Sequence, residues 1–493
     1  MTRLNLSSTE PSGGWWQKRI DALGGWGISL VIHGVLLLLL ALVILPVVPE
    51  EKELILTSLT VENESEVIVE PIEIQPEEII EGTTGVAAES VAAVNVAETP
   101  APVTIDVDER SLSLPLDLEE LLGPEVANRS DFAGRSEAAR AALVKAFGGT
   151  TASEAAVTSG LRWLAEHQNA DGSWNFAHRR EACGDSCPGE GRLRNHPVAA
   201  TSLALLCYLG AGHTHQEGRY QEVVGNGLRY LLDHAEPSQY GVDYRDGKGN
   251  PGMYSHGLAT IVLCEAYGLS RDGRLKRPAQ LAVNFIVNAQ HPSTGGWRYD
   301  FRPDDGVGDT SVVGWQVMAL ASARIAGLDV PRKTRKMAGW FLDSVELENG
   351  AFYGYVKPQR KVSTTAIGLL CRLYLGWSTE RPAVRRGVQF LASRGPDRSN
   401  MYYNYYATQV LHHVGGQEWK DWNESMREWL VAAQEKNGHA AGSWATINEN
   451  GSARDPHVGA GGRLYVTCLA ILTLEVYYRH LPLFQRQSVQ AGL

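Results

Sequence analysis

Beyond residue 150 the chain alternates two kinds of helical segment. One kind is apolar on every side and rich in small residues. It begins near His196 (HPVAATSLALLCYLG), Tyr254 (YSHGLATIVLCEAYG), Asp309 (DTSVVGWQVMALASARIAG), Lys361 (KVSTTAIGLLCRLYLGW), Met401 (MYYNYYATQVLHHVGG) and Gly461 (GGRLYVTCLAILTLEVYY). Each is preceded by an amphipathic segment, such as AAVTSGLRWLAEHQ or RKTRKMAGWFLDSV, with its charges on one side. A helix apolar all round must be enclosed, and an amphipathic one must face water. The pattern therefore predicts an all-α fold, a closed α/α toroid of six inner and six outer helices. The six starts lie 58, 55, 52, 40 and 60 residues apart, room for a helix pair and a substantial loop per repeat.

The loops repeat as well. QNADGSW (Gln168, Gly172, Trp174), QHPSTGGW (Gln290, Trp297) and QEKNGHAAGSW (Gln434, Trp444) share the order Gln, Gly, Trp. Gln can satisfy free backbone groups at a helix end, Gly permits a tight reversal, and Trp fills the wedge between helix pairs. Cys207, Cys264, Cys371 and Cys468 recur at comparable places in four inner segments, as expected of buried, inert thiols.

The N-terminal part is of a different kind. Gly27 to Val48 carries no Asp, Glu, Lys or Arg and is long enough to span a ~30 Å hydrocarbon layer. Lys18 and Arg19 precede it and Glu50, Glu51 and Glu53 follow, so the expectation is a single-pass anchor with a cytoplasmic N-terminus and everything after it extracytoplasmic. The formal charge of −11 is uneven: residues 50 to 131 carry −18, residues 1 to 49 carry +1 and the remainder +6. The acidic, Pro-interrupted stretch reads as a flexible tether. The mildly basic remainder lacks the clustered Lys and Arg of a nucleic-acid footprint. The expected organisation is a cytoplasmic segment over 1–26, a transmembrane helix over 27–48 and a linker over 49–130. A short connecting helix over 131–150, a toroid over 151–484 and a tail over 485–493 complete it.

Ser29 and His33 lie four apart, on one face of the expected anchor. The surrounding SLVIHGVLLL resembles the anchor of TonB-type energy transducers, which implies a motor complex as partner beside the membrane lipid. QNADGSW fits the QxxxGxW repeat of squalene and hopene cyclases, and the six helix pairs resemble the α/α toroid of terpene cyclases and protein prenyltransferases. The resemblance covers residues 151 to 484. It implies a catalytic acid in a DxDD motif, but the matching GVGDTS puts Gly308 at the proton donor's position; Asp304 and Asp305 lie just upstream. It also implies a zinc-binding Cys two residues after an Asp, where Asp309 is followed by Ser311 instead.

Polar groups at the inner-helix entrances remain. His256, Asp309 and His457 are the catalytic candidates; His196, Trp315, Tyr402, Tyr403, Asn404 and Arg463 are the ligand-binding candidates. No cofactor is predicted, and a divalent metal held by His196, His256, Asp309 and His457 stands as an alternative to structural caps. Cys183 and Cys187, in REACGDSCPGEGR, read as a local disulfide, with a metal site including His178 or His196 as the rival. The function expected is a membrane-anchored, extracytoplasmic module that binds a ligand or protein partner and lacks the cyclase acid. An enzyme of unknown reaction at the same entrances and a TonB-like energy transducer are the alternatives.

Overall fold

In a computed structural model of the chain the described residues are His33 and 132–481, except 179–182, 185, 250, 305 and 449. His33 is helical and exposed; Ser29 and the rest of the expected anchor and acidic linker lie outside the described residues. Among the described residues no helix is long and apolar enough to cross a membrane.

After a 3-10 turn at Ala133–Arg135 comes α1 (Glu137–Phe147), within the stretch expected to connect. Six outer helices follow as α2 (Thr151–Glu166), α4 (Gln221–Asp233), α6 (Gly273–Ala289), α8 (Arg332–Val345), α10 (Pro382–Arg394) and α12 (Gly416–Ala433). The alternating inner helices are α3 (Pro197–Gly210), α5 (Gly252–Ser270), α7 (Thr310–Ile325), α9 (Val362–Tyr374), α11 (Met401–Val414) and α13 (Val458–Leu474), with α14 (Val476–Arg479) closing the described chain. Two small antiparallel hairpins, β1 (Glu236–Ser238) with β2 (Gly241–Asp243) and β3 (Glu346–Leu347) with β4 (Phe352–Tyr353), fill outer-to-inner loops.

The two sequence patterns sort by burial as physical chemistry requires. Every residue of α11 is buried, whereas α8 buries only the stripe Thr334, Met337, Ala338, Phe341, Leu342 and Val345. Each inner helix packs on the next, from α3 through α5, α7, α9 and α11 to α13, and α13 packs on α3 as α12 does on α2.

The Gln–Gly–Trp loops supply the polar side of these joints. Gln168 Nε2 donates to Gly172 O and to Val223 O of the next outer helix, Gln290 to Gly295 O and Thr334 O, and Gln434 to Gly442 O and Ala156 O, all at 2.8–3.0 Å. The last of these runs from the sixth outer helix to the first. Trp174, Trp297 and Trp444 are buried, each indole donating to the carbonyl of Leu164, Ile286 or Leu430 on the preceding outer helix. Gly295 sits at φ +75°, and a Cβ there would come within 2.0 Å of Met337 O, so both conformation and close approach demand glycine.

The C-terminal ends of the inner helices are filled by a buried ionic cluster. Arg135 reaches Glu265 at 2.7 Å and Leu209 O at 3.2 Å; Arg479 reaches Glu265 at 3.3 Å and Leu206 O at 2.8 Å. Burial pushes the Glu265 carboxyl up, but Arg135 and Arg479 outweigh it and hold it below the usual value. Burial drives the Glu475 carboxyl well up against the pull of Arg479, Arg140 and Arg135.

One covalent expectation is corrected. Cys183 and Cys187 are free thiols, not a disulfide. The Cys187 N–H donates to Cys183 Sγ at 3.1 Å, and the Cys187 sulfur turns toward histidines from other loops. The four inner-helix cysteines are buried and free, as the repeat pattern implied.

Candidate active site

Asp309 caps α7 in extended backbone, its Oδ1 accepting from the Val312 N–H at 2.8 Å. Its own N–H donates to Trp297 O, so the Gln–Gly–Trp loop fixes it from behind. Next door, Thr310 N–H and Oγ1 both bind Tyr355 O, which ties the α7 entrance to the loop after β4. Asp309 is completely buried, and its Oδ2 has no hydrogen-bond partner among the described residues. Burial pushes the carboxyl up to about 6, against the pull of the Val312 N–H, Tyr355 and Arg298.

A set of phenols surrounds this acid. Tyr254 donates to Ser311 Oγ at 2.8 Å, and Ser311 Oγ lies 2.6 Å from Tyr402 OH. Tyr299 and Tyr355 share a 2.6 Å hydroxyl contact. Burial pushes the hydroxyls of Tyr254, Tyr299, Tyr355, Tyr402 and Tyr465 up, so they stay neutral at physiological pH. Behind them Trp315 stacks on Tyr405 with ring centres 5.7 Å apart.

A second buried carboxyl belongs to the same end. Asp455 accepts from Tyr402 N–H at 2.7 Å and from His457 N–H at 2.6 Å, joining the entrances of α11 and α13. Burial pushes it up, and His457 and the two backbone N–H groups pull it down. His457 is exposed at the rim, edge-on to Tyr402 with ring centres 5.5 Å apart.

Asp309, Trp315, Tyr402 and His457 thus come together; other sequence candidates do not join them. His256 is fully buried, accepting from Tyr244 N–H at Nδ1 and facing Ala282 O with Nε2 at 3.0 Å, so both nitrogens are spent on backbone. Burial drops its ring to about 4. His196 stands half-buried near Asp246, which caps α3 through Val198 and Ala199 N–H in its place. Tyr403 OH binds Leu391 O and Gly395 O, and Asn404 pins the Asp397 backbone. Arg463 is buried against Pro188 O and Ser443. The divalent-metal reading of His196, His256, Asp309 and His457 is therefore corrected: among the described residues they form no ligand group. Asp304 is exposed, and Asp305 lies outside the described residues. A small apolar crevice between α7 and α9, lined by Val317, Leu320, Arg324 and Tyr374 among others, contains no carboxyl and does not include Asp309.

Sequence reasoning missed Tyr254 and Tyr299 as site residues. Tyr254 opens an inner segment as Asp309 does, and that shared position was the available signal. Tyr299 follows Trp297 in a loop, where no periodicity marks it.

No family model and no curated relative matches this chain. Among solved structures it is similar to an alpha-1,6-mannanase of Salegentibacter sp. studied with alpha-1,6-mannotetrose, at TM-score 0.46 and 9% identity over 67% of this chain and 99% of that one. It is also similar to an alpha-amylase from Clostridium perfringens, at TM-score 0.45 and 10% identity over 66% and 97% of the two chains. A type II terpene cyclase from Scytonema with bound geranylgeranyl dihydroxybenzoate gives TM-score 0.42 and 15% identity over 66% and 97%. Nothing in them supports the TonB-like anchor. The expectation of a ligand- or partner-binding module is corrected: the solved structures to which the chain is similar are enzymes, an alpha-1,6-mannanase, an alpha-amylase and a type II terpene cyclase.

Proposed function

We propose that the chain is an enzyme using Asp309 as a general acid on a neutral, polyhydroxylated substrate of the glycan class. The observation that carries this reading is the Asp309 carboxyl, buried, half unpartnered and raised to about 6. An acid of that strength suits protonation of a leaving-group oxygen near neutral pH. It is too weak for protonating an alkene, which agrees with Gly308 standing where the cyclase donor would. The phenols of Tyr254, Tyr299, Tyr355, Tyr402 and Tyr465 offer neutral donors, acceptors and ring faces, which suit sugar hydroxyls and C–H faces. Asp455, which accepts two backbone N–H groups at the same end, offers the second carboxyl such chemistry needs.

The return of α13 onto α3 supports a closed toroid, with this entrance as one mouth and the Arg135–Glu265–Arg479 cluster as a plug at the other. The apolar run over 27–48 supports placing the enzyme outside the cytoplasm on a single-pass anchor, where polymeric glycans are met. The test is cleavage of a panel of neutral oligosaccharides, read as new reducing ends by mass spectrometry. Wild type cleaves at least one, and Asp309→Asn, folded, loses at least ~100-fold of the rate. Retained cleavage in Asp309→Asn would reject the assignment.

A further inference from the structure

Four side chains outside the Asp309 site converge where the first repeat meets the last. His167 ends α2, Cys183 and Cys187 lie in the loop before α3, and His439 lies in the loop between α12 and α13. One nitrogen from each histidine and the two sulfurs all lie within 4.8 Å of one another. Cys187 Sγ is 3.6 Å from His167 Nε2 and 3.2 Å from His439 Nδ1, and Cys183 Sγ is 3.7 Å from that same Nδ1.

These separations match the edges of a metal tetrahedron. With Zn–S of about 2.3 Å and Zn–N of about 2.0–2.1 Å, the S···N edge is about 3.5 Å. Plain thiol hydrogen bonds account for the cluster poorly. One Nδ1 lone pair would serve two thiols, and the single Cys187 proton would be shared between two imidazoles.

The surroundings also fit a metal. His167 Nδ1 lies 2.6 Å from Trp163 O, so it carries the proton and turns the Nε2 lone pair toward the sulfurs. The Cys187 N–H donates to Cys183 Sγ at 3.1 Å, and the buried Arg463 guanidinium is anchored on the neighbouring Pro188 O at 2.7 Å. His167, Cys183 and Cys187 are buried, whereas His439 is exposed and gives an ion a way in.

We propose that His167, Cys183, Cys187 and His439 form a Cys2His2 zinc site that staples the loop after α2 to the loop before α13. Two thiolates and two imidazoles without a carboxylate select zinc over magnesium, calcium or manganese. Four protein ligands leave no open position, so the site is structural. The polar insertion of residues 175–195 and the lengthened Gln–Gly–Trp loop at 434–444 bring these ligands together, and His167 and His439 stand where the sequence offered His178 or His196 as metal partners of the two cysteines. The staple reinforces a seam already sewn by Arg192 N–H on Gly459 O and Arg463 N–H on Gly189 O.

The test uses the full-length chain. Metal analysis after purification without chelator gives one zinc per chain. Cobalt added to the chelator-treated protein gives thiolate-to-cobalt charge-transfer absorption, a readout independent of any variant. His439→Ala, altering only the exposed ligand, weakens zinc binding in chelator competition by at least ~100-fold. Substoichiometric zinc after zinc is resupplied, a cobalt spectrum without thiolate bands, or unaltered affinity in His439→Ala would overturn the site, as would a Cys183–Cys187 disulfide found by mass spectrometry. None of these depends on the reading of Asp309.

Discussion

Asp309→Asn should stabilise the protein at alkaline pH while it disables it. Asparagine caps a helix about as well as aspartate, so the Val312 N–H keeps its acceptor. What the substitution removes is the need to ionise a fully buried carboxyl. Burial raises that group from 3.8 to about 6, so the folded state holds the proton more tightly than the unfolded chain does. Between those values the native state binds more protons, and stability from this group falls as pH rises. The penalty is ~1 kcal/mol at about pH 4.5 and reaches ~3 kcal/mol at about pH 8. Urea unfolding of wild type and variant at both values isolates the group, because other titrations cancel in the difference. Asp309→Asn should gain ~2 kcal/mol on wild type between the two conditions. A variant destabilised equally at both would mean that Asp309 rests ionised and is held by partners, and the general-acid argument would fail with it.

Other outcomes follow from the same structure. Glu265→Gln leaves Arg135 and Arg479 buried without their counter-charge and should cost about 3–5 kcal/mol in urea unfolding at neutral pH. Because the arginines hold Glu265 below the usual carboxylate value, its contribution is present above the unfolded-state value and is lost as pH falls through the folded one, so wild type and variant should converge in acid. Gln434→Ala strips Ala156 O and Gly442 O of their donor and should lower unfolding free energy by about 1–3 kcal/mol; no change would remove the polar side chain from the seam's account. Gly295→Ala should destabilise by more than ~1 kcal/mol, since Met337 O is backbone and cannot step aside.

The helix pairs were legible because burial writes itself into periodicity. The all-round apolar segments became α3 to α13 and the one-sided ones α2 to α12, and the Gln–Gly–Trp loops became the joints between them. The site was only half legible. Asp309 and Tyr402 announced themselves as polar groups opening apolar helices. His256, at the same kind of position, was spent on the Tyr244 and Ala282 backbone, a distinction made by tertiary neighbours that periodicity does not encode. Tyr403 and Tyr402 are adjacent in sequence, yet the helical turn aims Tyr402 at Ser311 of α7 and Tyr403 at α10. The Cys183–Cys187 pair invited a local partner, whereas its contacts come from His167 and His439, the latter 252 residues away from Cys187. No spacing rule reaches across such a separation.

The pH dependence of glycan cleavage tests the central claim most directly. A general acid at Asp309 must be protonated to act, so kcat/KM on a cleaved neutral oligosaccharide should fall about tenfold per pH unit above a midpoint near 6. That limb should vanish in Asp309→Asn. A rate independent of pH through this range, or an unchanged limb in the variant, would contradict the account.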